Sequence, residues 1–254
     1  MAEAATSGPS DVLAVDIGAT FTKYCAVASD GTLRGAITRL DTPYPCRPAT
    51  LVDTVARIIN DSGFARAAVG FPGDMLDGRV LEPGNLSRAG GITTPIDPLI
   101  DAQWVNFDLQ TTLQARCQAE VRVVNDATLA AHGYARGEGR ELIFTLGTGL
   151  GISLVVDGRW QKIRDIGSLA FHDIGTYDEV FGEPSRARDQ ALWRRNLAVA
   201  LSEFVLEFSP DLVHVGGGNA RHVHRDDLAH IGAPVEFNDN EGTLRGAARL
   251  FEAS

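Results

Sequence analysis

Apolar runs with the composition of buried strands end in glycine at three points along the chain. Val12-Leu13-Ala14-Val15 leads into Asp16-Ile17-Gly18-Ala19-Thr20-Phe21-Thr22-Lys23. Leu142–Leu146 leads into Gly147-Thr148-Gly149-Leu150-Gly151, and Leu212–Val215 into Gly216-Gly217-Gly218-Asn219. β-Branched and aromatic residues favour strands, and glycine at their end marks a sharp turn. After the first two segments the apolar pattern resumes, at Tyr24–Ala28 and Gly151–Val156, so each is a strand–turn–strand unit. Ser29-Asp30-Gly31 and Asp157-Gly158 supply the next turns.

Between these units the period changes. Apolar residues at 51, 52, 55, 58 and 59 predict a helix over 51–61, ended by Ser62-Gly63. A strand follows at 67–71, running into Pro72-Gly73. A helix is expected over 107–119, a strand over 121–124 ending at Asn125-Asp126, and then a helix through Tyr134. One long helix is expected from Glu183 to Phe208, stopped by Pro210, and a short one over 244–252. The stretch 87–103, with Gly90-Gly91 and two prolines, reads as a loop. Strands and helices in alternation predict an α/β protein. The recurrence of the glycine-turned strand pair predicts two lobes with a cleft between them. The expected division is a disordered tail at 1–10, a small lobe at 11–123 and a large lobe at 124–245, with a helix at 246–254 returning to the first.

Composition narrows the class. The 254 residues suffice for two lobes, and 44% hydrophobic content is ordinary for a globular protein. A net charge of −10 argues against a general nucleic-acid or anionic-membrane surface. No run approaches the ~20 apolar residues of a membrane span. Cys25, Cys46 and Cys117 are far apart, which gives no zinc site and suits a reducing cytoplasm. Exposed backbone N–H groups in glycine turns are natural phosphate ligands. One carboxylate beside several such turns, Asp126, suggests a phosphotransferase whose base deprotonates a hydroxyl. Asn125 and Asp126 also suit the start of a helix as caps, and the two readings are compatible.

In their order, Asp16-x-Gly18-x-Thr20-x-x-Lys23, Asn125-Asp126, Leu146-Gly147-Thr148-Gly149-Leu150-Gly151 and Gly216-Gly217-Gly218 resemble the ROK sugar kinases. Gly70-Phe71-Pro72-Gly73, Asn85-Leu86 and the closing 240–248 segment are similar to the short polyphosphate/ATP glucokinases of that family. The resemblance implies a two-lobed actin-like ATPase (ribonuclease H-like) fold and transfer of a terminal phosphoryl from ATP or polyphosphate to a sugar hydroxyl. It implies Asp126 as base, and phosphate or nucleotide contacts from Asp16, Gly18, Thr20, Lys23, Gly147, Thr148, Gly149, Gly216, Gly217 and Gly218. Asp16 would hold Mg²⁺ through water, though Lys23 could simply point to solvent. Gly73, Asn85 and Asn125 would contact the sugar. A homodimer is expected by the same resemblance.

Three departures stand out. Ala19 replaces a usual glycine, a minor change unless φ is positive there. The family's Glu-x-Gly-His sugar-binding segment aligns with Asp165-Ile166-Gly167-Ser168, so Asp165 and Ser168 would meet the acceptor with shorter groups. The 87–103 stretch looks inserted at the mouth of the sugar pocket. The acceptor is therefore expected to be a modified sugar or cyclitol rather than glucose at its best. A non-catalytic sugar-binding or regulatory protein is the alternative. His222, His224 and His230 read as exposed rather than as a metal site, and the Arg186-x-Arg188 and Arg194-Arg195 groups as a solvated helix face.

Overall fold

A computed structural model describes residues 10–161, 163 and 166–251. The tail expected at 1–10 lies outside the described residues except for Ser10, as do Asp165 and residues 252–254. The chain forms two compact units, Met1–Gly133 with Thr243–Ser254, and Tyr134–Gly242. The division falls later than the 123/124 expected, because the helix after Asn125 packs with the first unit. The first unit is also the longer of the two, the reverse of the expected order of size.

The first unit opens with β1 (Val12–Ile17), β2 (Phe21–Val27) and β3 (Leu33–Asp41), followed by α1 (Pro48–Ser62) and β4 (Arg66–Phe71). A small hairpin of β5 (Asp74–Leu76) and β6 (Arg79–Glu82) follows. Then come α2 (Pro98–Trp104), α3 (Leu109–Arg116), β7 (Glu120–Asn125) and α4 (Asp126–Tyr134). The sheet order is β3-β2-β1-β4-β7. β1, β2 and β3 are antiparallel, and β1, β4 and β7 are parallel. β1 is buried along its whole length, as a central strand must be when both faces are covered. One face packs on α1, where Leu51, Val52, Val55, Ile58 and Ile59 form the apolar stripe.

The second unit holds β8 (Arg140–Leu146), β9 (Leu150–Val156), β10 (Arg159–Gln161), β11 (Ala170–Phe171) and β12 (Gly175–Thr176). It continues with α5 (Tyr177–Phe181), α6 (Glu183–Arg188), α7 (Gln190–Phe208), β13 (Leu212–Gly216) and β14 (Val235–Phe237). Its sheet order is β10-β9-β8-β13-β14, again three antiparallel strands followed by two parallel additions. Each unit thus carries the same five-strand topology. The final helix, α8 (Gly242–Arg249), packs Leu244, Ala247 and Ala248 against Val12, Ala14 and Ala68 of the first unit.

The sequence pattern missed the strands β3, β5, β6 and β14 and misjudged two helical stretches. The single helix expected over 183–208 is two, because Asp189 leaves helical geometry (φ −151°, ψ 90°). Its side chain accepts from the Leu192 N–H and caps α7. The 87–103 stretch is not all loop. Arg88 donates to the Asn85 side chain (2.7 Å) and to the Thr94 carbonyl (2.5 Å), and Asp97 caps α2, whose Trp104 is fully buried.

Candidate active site

In each unit the residues singled out from sequence gather at the carboxyl ends of the central strands, where open α/β sheets bind ligands. In the first unit, Asp16 pairs in register with Gly70 on β4, and Gly70 with Val124 on β7. The Gly18–Thr20 turn, the Pro72-Gly73 turn and Asn125-Asp126 therefore leave one edge of one sheet. The Gly18–Thr20 turn is held from behind. Thr42 donates its hydroxyl to the Gly18 carbonyl (2.7 Å) and its N–H to that of Thr20 (3.0 Å). The Tyr44 hydroxyl donates to the Ala19 carbonyl at 2.8 Å and lies 3.3 Å from that of Asn85. Burial pushes the Tyr44 phenol up to about 12, so it stays a donor. Ala19 is not among the residues with positive φ, so its methyl costs the turn nothing.

Lys23 does not point to solvent: its Nζ lies 2.9 Å from Oδ2 of the buried Asp16, directly across the β1–β2 pair. Asn125 proves to be chiefly a fastening. Its Oδ1 accepts from the Ala127 and Thr128 N–H groups (2.9 and 3.2 Å), capping α4, while its Nδ2 donates to the Gly73 carbonyl (2.8 Å). Asp126 is the first residue of α4, and its Oδ1 accepts from the Ala127 N–H at 2.8 Å. The positive end of the helix favours that carboxylate, and Gly70 lies close by: a Cβ there would stand 3.1 Å from Leu129 Cδ2 and 3.4 Å from the Asp126 Cα. Asn85 has its side-chain oxygen on Arg88.

The second unit separates the glycines by cause. A Cβ on Gly149 would collide with the Asp178 carboxylate, and one on Gly216 would lie 2.5 Å from the Tyr134 ring. Gly217 has φ +86° and would press 2.5 Å from the Leu146 carbonyl. Those three are required by the chain itself. A Cβ on Gly147 would meet no described atom within 4 Å beyond its chain neighbours, and one on Gly218 only an Asn240 nitrogen at 3.9 Å. Neither has positive φ. Thr148 sits between Gly147 and Gly149 at the β8–β9 turn, and Ser168 is exposed.

Two residues escaped the sequence reading. Asn219 joins the two glycine turns: its N–H donates to the Leu146 carbonyl (2.9 Å) and its Nδ2 to that of Gly147 (2.9 Å). Asp178 packs its carboxylate against Gly149 and within 2.9 Å of where a Gly167 Cβ would be, so it lies between the turn and the 166–168 segment. Nothing in its local pattern marks it, since it lies in the first turn of α5, behind the Thr176–Glu179 capping box. Among the described residues no cluster of three or more His, Cys, Asp or Glu could hold a metal by itself. His224 contacts Arg194, and His222 contacts Arg221.

A family model described as the ROK family matches residues 12–164. Polyphosphate glucokinase of Mycobacterium leprae (strain TN) is 26% identical over 249 residues, covering 87% of this chain and 70% of that protein. Among solved structures, the inorganic polyphosphate/ATP-glucomannokinase of Arthrobacter sp. strain KM is similar, with TM-score 0.77 and 28% identity over 95% of this chain and 98% of that one. A ROK family glucokinase from Streptomyces griseus, solved with glucose and AMPPNP, shares the fold, with TM-score 0.73 and 19% identity over 94% and 98% of the two chains.

Proposed function

The chain belongs to the ROK family, and from that premise we propose that it is a carbohydrate kinase moving the terminal phosphoryl of ATP or polyphosphate to a hydroxyl of a hexose or hexose-like polyol. The observation that carries this reading is the pair Gly147 and Gly218. Among the described residues nothing requires glycine at either, whereas a phosphate approaching the backbone would. Asn219 ties the two turns together, so donor contacts there are pre-organised.

Asp126 accepts the proton of the acceptor hydroxyl as its oxygen bonds to phosphorus. The bond to the bridging oxygen breaks, and ADP or a shortened polyphosphate leaves. Asp16, with Lys23 on one oxygen, fits a Mg²⁺ ion held mainly by donor phosphates and water rather than by a protein cage. When bound, the ion neutralises developing charge on the transferred group. Thr20 and Thr148 offer hydroxyls to phosphate oxygens, and Gly18 opens the first turn. Asn125 and Gly73 set the direction of Asp126 through their shared hydrogen bond.

The acceptor side is where this chain differs. Ser168 stands where the family carries histidine. Losing such a hydrogen bond costs about 0.5–1.5 kcal/mol, and more where a partner is stranded. Asp178, beside Gly167, supplies a carboxylate to the same segment. The preferred acceptor is therefore a modified sugar or cyclitol, handled in a reducing cytoplasm. Purified protein with Mg²⁺ and each donor, assayed against sugars and cyclitols, tests both parts. Glucose turnover at ordinary glucokinase efficiency refutes the altered acceptor. Ligand binding without transfer from either donor refutes the kinase reading and favours a binding protein.

A further inference from the structure

Arg88 closes the one-turn helix Gly84–Ser87, and the surrounding contacts fix where it stands. A Cβ on Gly84 would lie 2.7 Å from the Pro72 carbonyl oxygen, and one on Gly73 would collide with that of Glu82. The Gly73 carbonyl in turn accepts from Asn125, beside Asp126. On its other side the segment reaches the first glycine turn, since the Tyr44 hydroxyl that holds Ala19 lies 3.3 Å from the Asn85 carbonyl. Burial and Cys46 raise the Tyr44 phenol and the Arg88 charge opposes them, so the guanidinium is within electrostatic reach of that hydroxyl. The segment bearing Arg88 therefore stands on the same sheet edge as Asp126, against the Pro72-Gly73 turn and beside the Gly18–Thr20 turn.

The guanidinium is held there, but its charge has no opposite. Nε donates to Oδ1 of Asn85 (2.7 Å) and Nη1 to the Thr94 carbonyl (2.5 Å), both uncharged acceptors. Backbone bonds also close this turn, from the Ala89 N–H to the Pro95 carbonyl (3.1 Å) and from the Asp97 N–H to that of Ser87 (2.8 Å). A neutral donor at position 88 would steady it as well. Arg122, Arg186 and Arg194 are likewise half-buried, and each has a carboxylate within 4 Å, from Glu120, Glu183 and Asp227. Arg88 has none among the described residues, in a chain with 33 acidic residues against 23 basic ones. Its Nη2 has no hydrogen-bond partner there either, and is not closed off from solvent. A half-buried permanent cation with a free donor is matched to an anion.

We propose that Arg88 is a specificity-determining residue that binds a carboxylate of the acceptor through Nη2, and that the acceptor is a sugar acid of the uronic or aldonic class. One guanidinium balances the single charge of a carboxylate, whereas a phosphate monoester brings about two. The inference rests on the reading of the Asp126 edge as the acceptor side. Calorimetric titration of the full chain, with no donor present, compares each of a set of uronic and aldonic acids with its neutral parent. At least one acid should bind about tenfold or more tighter than its parent. That ratio should shrink as ionic strength rises. Arg88→Gln should bring it close to one, and Arg88→Lys, which keeps the charge without the planar fork, should fall between. Circular dichroism on each variant establishes that the fold is kept; if Arg88→Gln does not fold, Arg88→Lys and the salt series decide. No acid favoured over its parent, or a preference that Arg88→Gln leaves intact, would overturn the proposal. So would a sugar phosphate that outbinds every acid through Arg88. Transfer from ATP or polyphosphate with Mg²⁺ is assayed separately. An acid bound through Arg88 yet phosphorylated from neither donor removes the kinase reading and leaves this one. A neutral sugar phosphorylated with no acid preferred does the reverse.

Discussion

Gly147 and Gly217 occupy neighbouring turns for different physical reasons, and substitution separates them. Alanine at Gly217 must adopt φ +86° and press on the Leu146 carbonyl. It should lower stability by about 1–2 kcal/mol or more in urea unfolding. Alanine at Gly147 meets no described atom, so stability should change by less than about 0.5 kcal/mol. On the proposed reading the donor KM should nevertheless rise, because the new methyl would stand in the path of the phosphate. An unchanged donor KM in Gly147→Ala would remove the main support for the donor site. Asp126→Asn retains the α4 start, since Asn125 provides much of the cap. It should lower kcat by roughly 100- to 10,000-fold with donor affinity intact. Turnover near wild type would dismiss Asp126 as base.

At the scale of elements, the turns proposed to meet the donor depend on how β8, β13 and β14 are locked together. Glu141 on β8 and His214 on β13 are both fully buried, with His214 Nε2 2.7 Å from Glu141 Oε2. The Asn238 amide, just past β14, donates to His214 Nδ1 (3.2 Å), so the imidazole proton lies on Nε2, toward Glu141. Burial alone would push the Glu141 carboxyl up. The N–H of Arg136, the His214 ring and the N–H of Gly137 outweigh it and hold the carboxyl below its ordinary value. A depressed carboxylate stabilises the fold above its unfolded pKa, and that contribution is lost as pH falls through the folded value. The wild type should therefore lose stability on acidification below about pH 4.5, more steeply than Glu141→Gln, in urea midpoints taken at successive pH values. His214→Ala removes one buried hydrogen bond to the carboxylate, whose backbone N–H partners remain, and should cost about 1.5–3 kcal/mol at neutral pH. Asn219→Ala, which unties the two turns, should raise the donor KM while leaving the acceptor KM nearly unchanged. Equal effects on both would mark Asn219 as merely structural.

For the whole molecule, the net charge of −10 opposes an incoming polyanion, whereas backbone dipoles attract it only at close range. Salt screens the long-range repulsion more than the contact. With Mg²⁺ in fixed excess, the polyphosphate KM should fall as ionic strength rises from low to physiological. A KM that rises steeply with salt would mean that a basic surface, such as the arginines of α6 and α7, carries donor binding instead. The same topology in both units explains why a glycine turn recurs after the first strand of each: β1–β2 and β8–β9 are equivalent hairpins at equivalent sheet positions.

Much of this was legible from sequence alone, because it depends on local chemistry. Glycines after apolar runs mark strand ends, period marks α1 and α4, and the Asn125-Asp126 pair marks a helix start. Contacts between residues distant in sequence were not legible. Asp178 lies against Gly149, Asn219 bridges to Gly147, and Lys23 faces Asp16 only because folding sets them side by side. The break at Asp189 was missed because the apolar spacing continues through it, and a capping carboxylate outweighed that spacing. The α2 helix was missed because its glycine- and proline-rich flank masks a turn that the Arg88 hydrogen bonds hold. Sequence by itself determined the order of the glycine-turned strands and the chemistry those turns can carry, since those follow from each residue and its neighbours. Tertiary structure alone decided which glycines the chain needs for itself and which it leaves open, since that depends on what packs against each one.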